Sequence, residues 1–519
     1  MSVKKHKAKA LLPFAFYVLP FAFCLVVGLA LLPLPSIALI AGLGLALALP
    51  LLDPVFGLYL AVLSVPVQDL AHLPSGITYT QAAMLLAVGA WALRALAHPE
   101  HPIEKGRLLP LWLVLLWALL LATSFTPYSR AEGFKETFRW VEAFLVWLIA
   151  VNTVKRPWQA AGLVACLLLA PAADAAIGLA QFATGDGPSS FRIAAGSPFV
   201  RAYGTIGAPN SFAGYLNMAW PLALALAVGA VRWAWGRKGT IYRAPTKDEG
   251  RPRVERDHLV TLSPYHRASA RWSFVVGLWL VASLLLAALA ASFSRGAWLG
   301  AAAGLLAMVL ALGRRAARWV LAVVVCGALL LALGGAGLLP AVVAARLASI
   351  TRSVSFFDAS TVQVTIENFA VVERMAQMQA GWRMFAAHPL TGVGPGNYTL
   401  AYPDFAVVPW YASRGHAHNY YLHMAAEAGL GGALAYLALL AGVSYRVVVA
   451  LRRANSTFRR SIVVGCCGII AATAGHDLFE NLHVLSMGVQ LAAVWGLIDV
   501  LGNWDQRIED RGSRIEDRG

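Results

Sequence analysis

Apolar runs of about twenty residues recur along almost the whole of this 519-residue chain, and that is the length a helix needs to cross a bilayer core. The stretch LLPLWLVLLWALLLATSF, 108–125, is typical: it offers no face to water. A segment inside lipid must satisfy its own backbone polar groups, which leaves helices or a closed barrel. The short alternating segments of a barrel are absent, so the pattern predicts an all-α polytopic membrane protein. Composition agrees. With 59% hydrophobic and 13% charged residues, the chain has too little charge to cover a soluble surface of this size.

Candidate spans fall at about 11–32, 35–52, 54–68, 78–97, 108–125, 137–153, 159–182, 211–233, 272–292, 296–313, 318–342, 418–446, 461–475 and 484–502. The expectation is therefore about 12–14 transmembrane helices, the third short enough to be re-entrant. The amino terminus, MSVKKHKAKA, is basic and precedes an apolar run without a clear cleavage site, so it reads as a retained first span. The five cysteines lie inside apolar runs and behave as small hydrophobes, which predicts neither a disulfide framework nor a zinc site.

The net charge of +16 raises the question of nucleic acid. The basic residues, however, sit in short loops between apolar runs, as the positive-inside rule requires, and no nucleic-acid partner is expected. The rule makes cytoplasmic the loop near 234–271, the cluster Arg314, Arg315 and Arg318, the cluster from Arg446 to Arg460, the pair Lys155 and Arg156, and the amino terminus. Loops 183–210, 293–296 and 343–417 then fall on the opposite, external face. This divides the chain into helices with arginine-bearing external turns at 1–342, an external cap at 343–417, carboxy-terminal helices at 418–502 and a cytoplasmic tail at 503–519. In the cap, ENFAVVERMAQMQAGWRMFAAHP reads as an amphipathic helix ending before Pro389, followed by a glycine-rich turn. The tail repeats RIEDRG and reads as disordered.

Three clusters of polar residues meet the external side. In RAYGTIGAPNSFAGYL, 201–216, Arg201 is either an interfacial arginine snorkelling to headgroups or an anion ligand, and Asn210 or Ser211 is placed to cap the next helix. In SFSRGAWLG, 292–300, Arg295 sits in a tight turn close to hydrocarbon depth, where a charge is costly unless it meets an anion or water. Gly296 permits close backbone approach, and the helix start adds partial positive charge. In SRGHAHNYYLHMAAEAGLGG, 413–432, His416 and His418 precede or open a span with Asn419. If helical, His416 shares a face with Asn419 and Tyr420. An imidazole exchanges protons near neutral pH, though an aromatic interfacial belt would look similar. His416, His418 and His423 lack the ligand spacing of known metal motifs. GVGPGNY, 392–398, has the glycine density of a phosphate loop but no Lys-Ser/Thr after it. HDLFENLH, 476–483, either lines the same cavity or is a solvated loop.

HPLTGVGPGNY followed by HAHNYYLHMAAEAGLGG resembles the signature region of the O-antigen ligase and polymerase superfamily, through His418, Asn419, Glu427, Gly429, Gly431 and Gly432. SFSRGAWLG and RAYGTIGAPNSFAGYL resemble two further elements of that family. The likeness covers about 200–482 and fades to general hydrophobicity before it. It implies a GT-C-like membrane fold with one long external helical loop, in a bacterial inner membrane. It implies transfer of a glycan from an undecaprenyl-diphosphate carrier to an acceptor hydroxyl on a lipid or glycan, with no metal and no cofactor. Arg201 and Arg295 would bind the diphosphate and His418 would act as the base. Asn419, His416, Arg414 and Asn210 would contact substrate. Polymerases share the signature with ligases, so a polysaccharide polymerase is an alternative. So is a transporter, for example of inorganic carbon, although the polar groups cluster at one face rather than at the midplane.

Overall fold

A computed structural model describes residues 34–68, 70, 77–100, 102–194, 196–236, 264–313, 316–339, 357–365 and 368–504. The expected span at 11–32, most of the basic loop near 234–271, the first part of the 343–417 segment and nearly all of the 503–519 tail lie outside the described residues. Among the described residues the chain is helical, and the β pairing consists of two isolated bridges, Arg192 with Val200 and Val407 with Trp410. The protein is an all-α polytopic membrane protein.

The helices are α1 (Leu34–Leu52), α2 (Val55–Ser64), α3 (Tyr79–Ala97), α4 (Leu109–Ser124), α5 (Arg130–Thr153), α6 (Pro157–Thr184), α7 (Pro209–Asn217) and α8 (Trp220–Gly236). They continue with α9 (Pro264–Ala291), α10 (Arg295–Ala311), α11 (Ala316–Gly335), α12 (Phe369–Ala387), α13 (Tyr398–Phe405), α14 (Tyr420–Arg453), α15 (Thr457–His476) and α16 (Met487–Leu501). Every candidate span from residue 35 onward coincides with one of these helices or, for 211–233, with the pair α7 and α8. Among the described residues, six stretches are long and apolar enough to cross a membrane: Tyr79–Ala97, Pro157–Thr184, Pro209–Trp235, Arg271–Ala291, Tyr420–Arg453 and Thr457–His476. Shorter apolar helices, including Leu109–Ser124 and Arg295–Ala311, fill the spaces between them.

Two helices differ from their expected extent for identifiable reasons. The α5 helix begins at Arg130, seven residues before the apolar run. Ser129 caps it by accepting from the Glu132 N–H at 3.3 Å, and Lys135 and Arg139 pair with Glu132 and Glu136 at 2.7 and 2.6 Å. The 211–233 run breaks between Asn217 and Trp220, because Pro221 has no N–H to donate to the preceding turn.

Packing follows membrane rules. On α4, Trp112, Leu115 and Leu119 are buried while Leu113, Val114 and Trp117 are more than half exposed, so both faces are apolar, as for a helix between protein and lipid. Without a hydrophobic force between helices in lipid, close approach depends on small residues. Gly296, Gly300 and Gly304, four apart on α10, meet α15 in this way. A Cβ on Gly300 would press on the Ala472 carbonyl and His476, and one on Gly304 on Ala472 and the Gly468 carbonyl. This glycine face seats Arg295, the first residue of α10, beside the turn that follows His476.

The helix ends sort into two groups. At one end Arg446 pairs with Asp499 at 3.0 Å, the Arg107 N–H donates to Asp499 at 2.8 Å, and the basic residues of 446–460 and Lys155 gather. At the other end the described parts of 183–210, 293–296 and 343–417 converge. The Ala202 N–H donates to the Ala291 carbonyl at 2.9 Å, and the Tyr420 N–H to the Asp477 carbonyl at 2.7 Å. The candidate site residues all lie at this second end.

Candidate active site

The centre of the site is a carboxylate, Glu480, 5% exposed, in the turn between α15 and α16. Its Oε1 lies 3.0 Å from His416 Nε2 and 3.3 Å from His418 Nδ1. Its Oε2 accepts from Asn210 Nδ2 at 2.9 Å and lies 3.7 Å from an amino group of Arg374 on α12. The Asn210 carbonyl in turn accepts from Arg201 at 2.8 Å, and Arg201 Nε donates to the Ser292 carbonyl at 2.7 Å. One buried acid thus gathers side chains from three distant stretches of the sequence. A lone buried carboxylate is costly, and burial works to keep it protonated. The two imidazoles, His418 first, outweigh this and hold Glu480 well below the usual carboxylate range.

The two histidines are not equivalent. The chain from His416 to Asn419 is not helical, so the helical face expected for His416, Asn419 and Tyr420 does not form. Instead His418 takes a left-handed backbone, φ 51°, that costs of order 1–3 kcal/mol for a non-glycine residue. This folds the two rings edge to face, with centroids 4.2 Å apart. The His418 backbone N–H, which can only donate, lies 3.1 Å from His416 Nδ1. That makes Nδ1 the acceptor and leaves the His416 proton on Nε2, pointed at Glu480. His418 faces the carboxylate with Nδ1, so its Nε2 is the nitrogen turned away from it. Burial pushes His418 below the usual imidazole range, against the opposing pull of Glu480, and keeps it neutral.

The sequence-predicted residues divide accordingly. Arg201, Asn210, His416 and His418 are brought into one network. Arg295 is buried at 9% exposure, three residues beyond the Ser292 carbonyl that receives Arg201, and Gly296 packs on His476 and Phe479. Asn210 does not cap a helix. Pro209 occupies the first helical position and Ala208 the cap, which leaves the Asn210 side chain to bridge Arg201 and Glu480.

An O-antigen ligase family model matches residues 280–437. That match supports the O-antigen ligase superfamily over this part of the chain. No curated protein matches the chain. The family indicates a glycosyltransferase-type membrane protein that works on lipid-linked glycans, within a multi-pass membrane setting. The matched stretch of the O-antigen ligase domain carries Arg295, Arg374, His416 and His418; Arg201, Asn210 and Glu480 lie outside it.

The geometry gives physical meaning to the rest of the O-antigen ligase signature. The glycine turn at 392–398 does wrap a negative group, and that group is the chain's own Glu427. Gly396 and Tyr398 N–H groups donate to its two oxygens, each at 2.9 Å. The Val393 and Gly394 N–H groups donate to the Ala426 and Glu427 carbonyls. Gly392, Gly394 and Gly396 all have positive φ, which this close wrapping needs. Gly429, φ 62°, breaks α14 where Leu390 crosses it, and a Cβ there would strike the Leu390 carbonyl. Glu427 and Gly429 therefore clamp the cap onto α14. Glu427→Ala would leave two buried N–H groups without acceptors, at about 1–3 kcal/mol each. We expect a fall in Tm of several degrees in thermal unfolding of the purified protein, whereas substitution of the half-exposed Arg414 should leave Tm nearly unchanged.

Arg414 and Asn419 have other tasks than the network. Arg414 is exposed and pairs with Glu373 on α12 at 2.6 Å, anchoring the loop before the histidines. Asn419 caps α14, its side-chain oxygen accepting from the Leu422 N–H at 2.9 Å.

His416, His418 and Glu480 present one ligand atom each within 4.8 Å of one another, a set with the makings of a metal site. Two features favour an anion over a cation here. Arg374 and Arg201 approach the same network, and Glu480 Oε2 is already engaged by Asn210. Sequence reasoning placed Glu480 in a turn that either lines the cavity or is solvated, gave it no role of its own, and did not single out Arg374. HDLFENLH is not a solvated loop: Asp477 and Glu480 are buried. The available signal was an acid beside a span end with histidines on both sides of the fold; Arg374 gave none, since a charged residue on an amphipathic helix ordinarily faces solvent.

Proposed function

We propose that this end of the bundle faces away from the cytoplasm and transfers a glycan from an undecaprenyl-diphosphate carrier to an acceptor hydroxyl, as an O-antigen ligase-type enzyme. The observation that carries the reading is the Glu480 network, which joins a neutral imidazole to a group of arginines at one helix-end surface. His418 Nε2 takes the proton of the acceptor hydroxyl as its oxygen bonds to the anomeric carbon. The bond from that carbon to the diphosphate breaks, and its electron pair leaves with the diphosphate. Arg201, Arg295 and Arg374 stabilise the charge that grows on the phosphate oxygens, which favours the transition state over bound substrate. His418 Nδ1–H faces Glu480, whose charge stabilises the imidazolium that forms. His416 holds Glu480 and, through its bond from the His418 N–H, the backbone that aims His418. The energy is already in the donor's diphosphate bond, so neither nucleotide nor metal is required. A single displacement of this kind inverts the anomeric centre.

The pH dependence tests the pair. A base must be neutral, so turnover falls as pH drops through the His418 pKa. The Glu480 charge raises that pKa relative to burial alone. Glu480→Gln should therefore slow turnover and move the acid limb of the kcat profile to lower pH. An acid limb that stays in place or moves upward would remove Glu480 from this role.

A further inference from the structure

A polar cavity of about 160 Å³ opens beside the site, lined by Gln68, Gln81, Glu136, Arg139, Glu142 and His483 among others. It is built from the helix ends that converge with the candidate active site: the first turn of α3, the first half of α5 and the turn leading into α16. That last turn also carries Glu480. One aromatic layer separates the two. The His483 ring stacks between Trp140 and Tyr420, at 4.9 and 4.3 Å, and Tyr420 follows Asn419 directly.

The chemistry of this cavity is opposite to that of the arginine site. Glu136 is engaged by Arg139 at 2.6 Å, and Glu142, 7% exposed, is the second acid of the lining. With two acids and one arginine, the lining offers phosphate no surplus of positive charge. Carboxyl and amide side chains around a small, partly open cavity instead suit vicinal hydroxyls, which donate to the acid and both donate to and accept from the glutamines. A polar lining also has a cost here, since Gln68 and Glu142 are buried in an otherwise apolar bundle. Backbone strain points to the same place. Among the described residues, four non-glycine residues have left-handed backbones. Phe293 and His418 flank the candidate active site, and Leu485 and Ser486 form part of the cavity wall. Such strain persists where surrounding structure enforces it, commonly around binding sites.

We propose that this cavity is a saccharide subsite, which holds one uncharged, hydroxyl-rich ring of a glycan that reacts at His418. Its link to turnover rests on the transferase reading; its ligand chemistry does not. The ring belongs to either the donor glycan or the acceptor, and kinetics separates the two.

The test uses the full-length protein in lipid nanodiscs, with Glu142→Gln and Ala143→Leu as variants that replace the acid or fill the cavity. The probe is a phosphate-free oligosaccharide released by mild acid from the host's own surface polysaccharide. Wild type should bind it, and each variant should bind about tenfold or more weakly, the scale of a lost hydrogen bond to a charged group. In turnover assays the KM of one substrate should rise by a similar factor with kcat largely kept, and that substrate is the source of the ring. Variants that bind the oligosaccharide as wild type does, while turnover is normal, would overturn the subsite and leave the transferase reading standing. Cavity-dependent binding by a protein that transfers nothing would do the reverse.

Discussion

His418→Ala should bind the lipid-diphosphate donor with nearly wild-type affinity and lose turnover by about a hundred- to ten-thousandfold, the range general base catalysis supplies. The reason is positional. His418 Nδ1 is 3.3 Å from Glu480, and burial keeps the ring neutral at working pH. Neither fact bears on the diphosphate, so kcat should carry the loss and the dissociation constant should not. His418→Gln, which keeps a polar side chain of similar reach but cannot take the proton, should fall with His418→Ala. Parallel loss of binding and turnover would assign the residue to holding the loop instead, through its strained backbone.

Arg295→Ala should show the second large effect, with glycan transfer reduced by about a hundred- to a thousandfold, as when one donor to a developing charge is removed. Arg295 starts α10 at 9% exposure, and the glycine face of that helix fixes it against the His476–Glu480 turn. Arg201→Ala should also weaken donor binding, but its side chain has structural bonds to Ser292 and Asn210 as well. Arg201→Lys therefore becomes informative: lysine keeps the charge but not the planar donors. If the arginine recognises phosphate and bridges the two loops, lysine should recover little. Both losses are read as kcat/KM for a defined lipid-diphosphate glycan, alongside expression level and Tm. An Arg295→Ala protein that folds and turns over normally would take away the main anion ligand.

The fold was largely legible because lipid imposes a simple rule. Apolar runs must be helices, and each one from residue 35 onward is. What misled was polar chemistry at the ends of the runs. The first two turns of α5 look like a loop by hydropathy, yet the Ser129 cap and two ion pairs make them helical. Asn210 looked like a cap, and Pro209 displaced it from that role. The glycine turn looked fit for a phosphate and is occupied by Glu427, a residue 31 positions from Gly396.

The candidate site was legible by residue type and not by assembly. Arg201, Arg295, His416 and His418 stand out because charge and imidazole are rare beside hydrocarbon. Their common partner does not. Glu480 is 62 residues from His418 and 270 from Asn210, and only tertiary structure brings them together. The same holds for Arg374, whose neighbours on α12 suggest an ordinary exposed charge. A helical reading set His416 on a face with Asn419 and Tyr420; the left-handed turn at His418 instead brings the His416 and His418 rings into contact.

The central claim is that the base and the arginines act on one lipid diphosphate. The most direct measurement follows purified protein in lipid, supplied with an undecaprenyl-diphosphate glycan and candidate acceptors, with EDTA present and nucleotide omitted. The account expects each transferred glycan to be matched by one released undecaprenyl diphosphate, at a rate that His418→Ala all but eliminates. Equal release by His418→Ala, or activity that EDTA abolishes and a divalent ion restores, would contradict it.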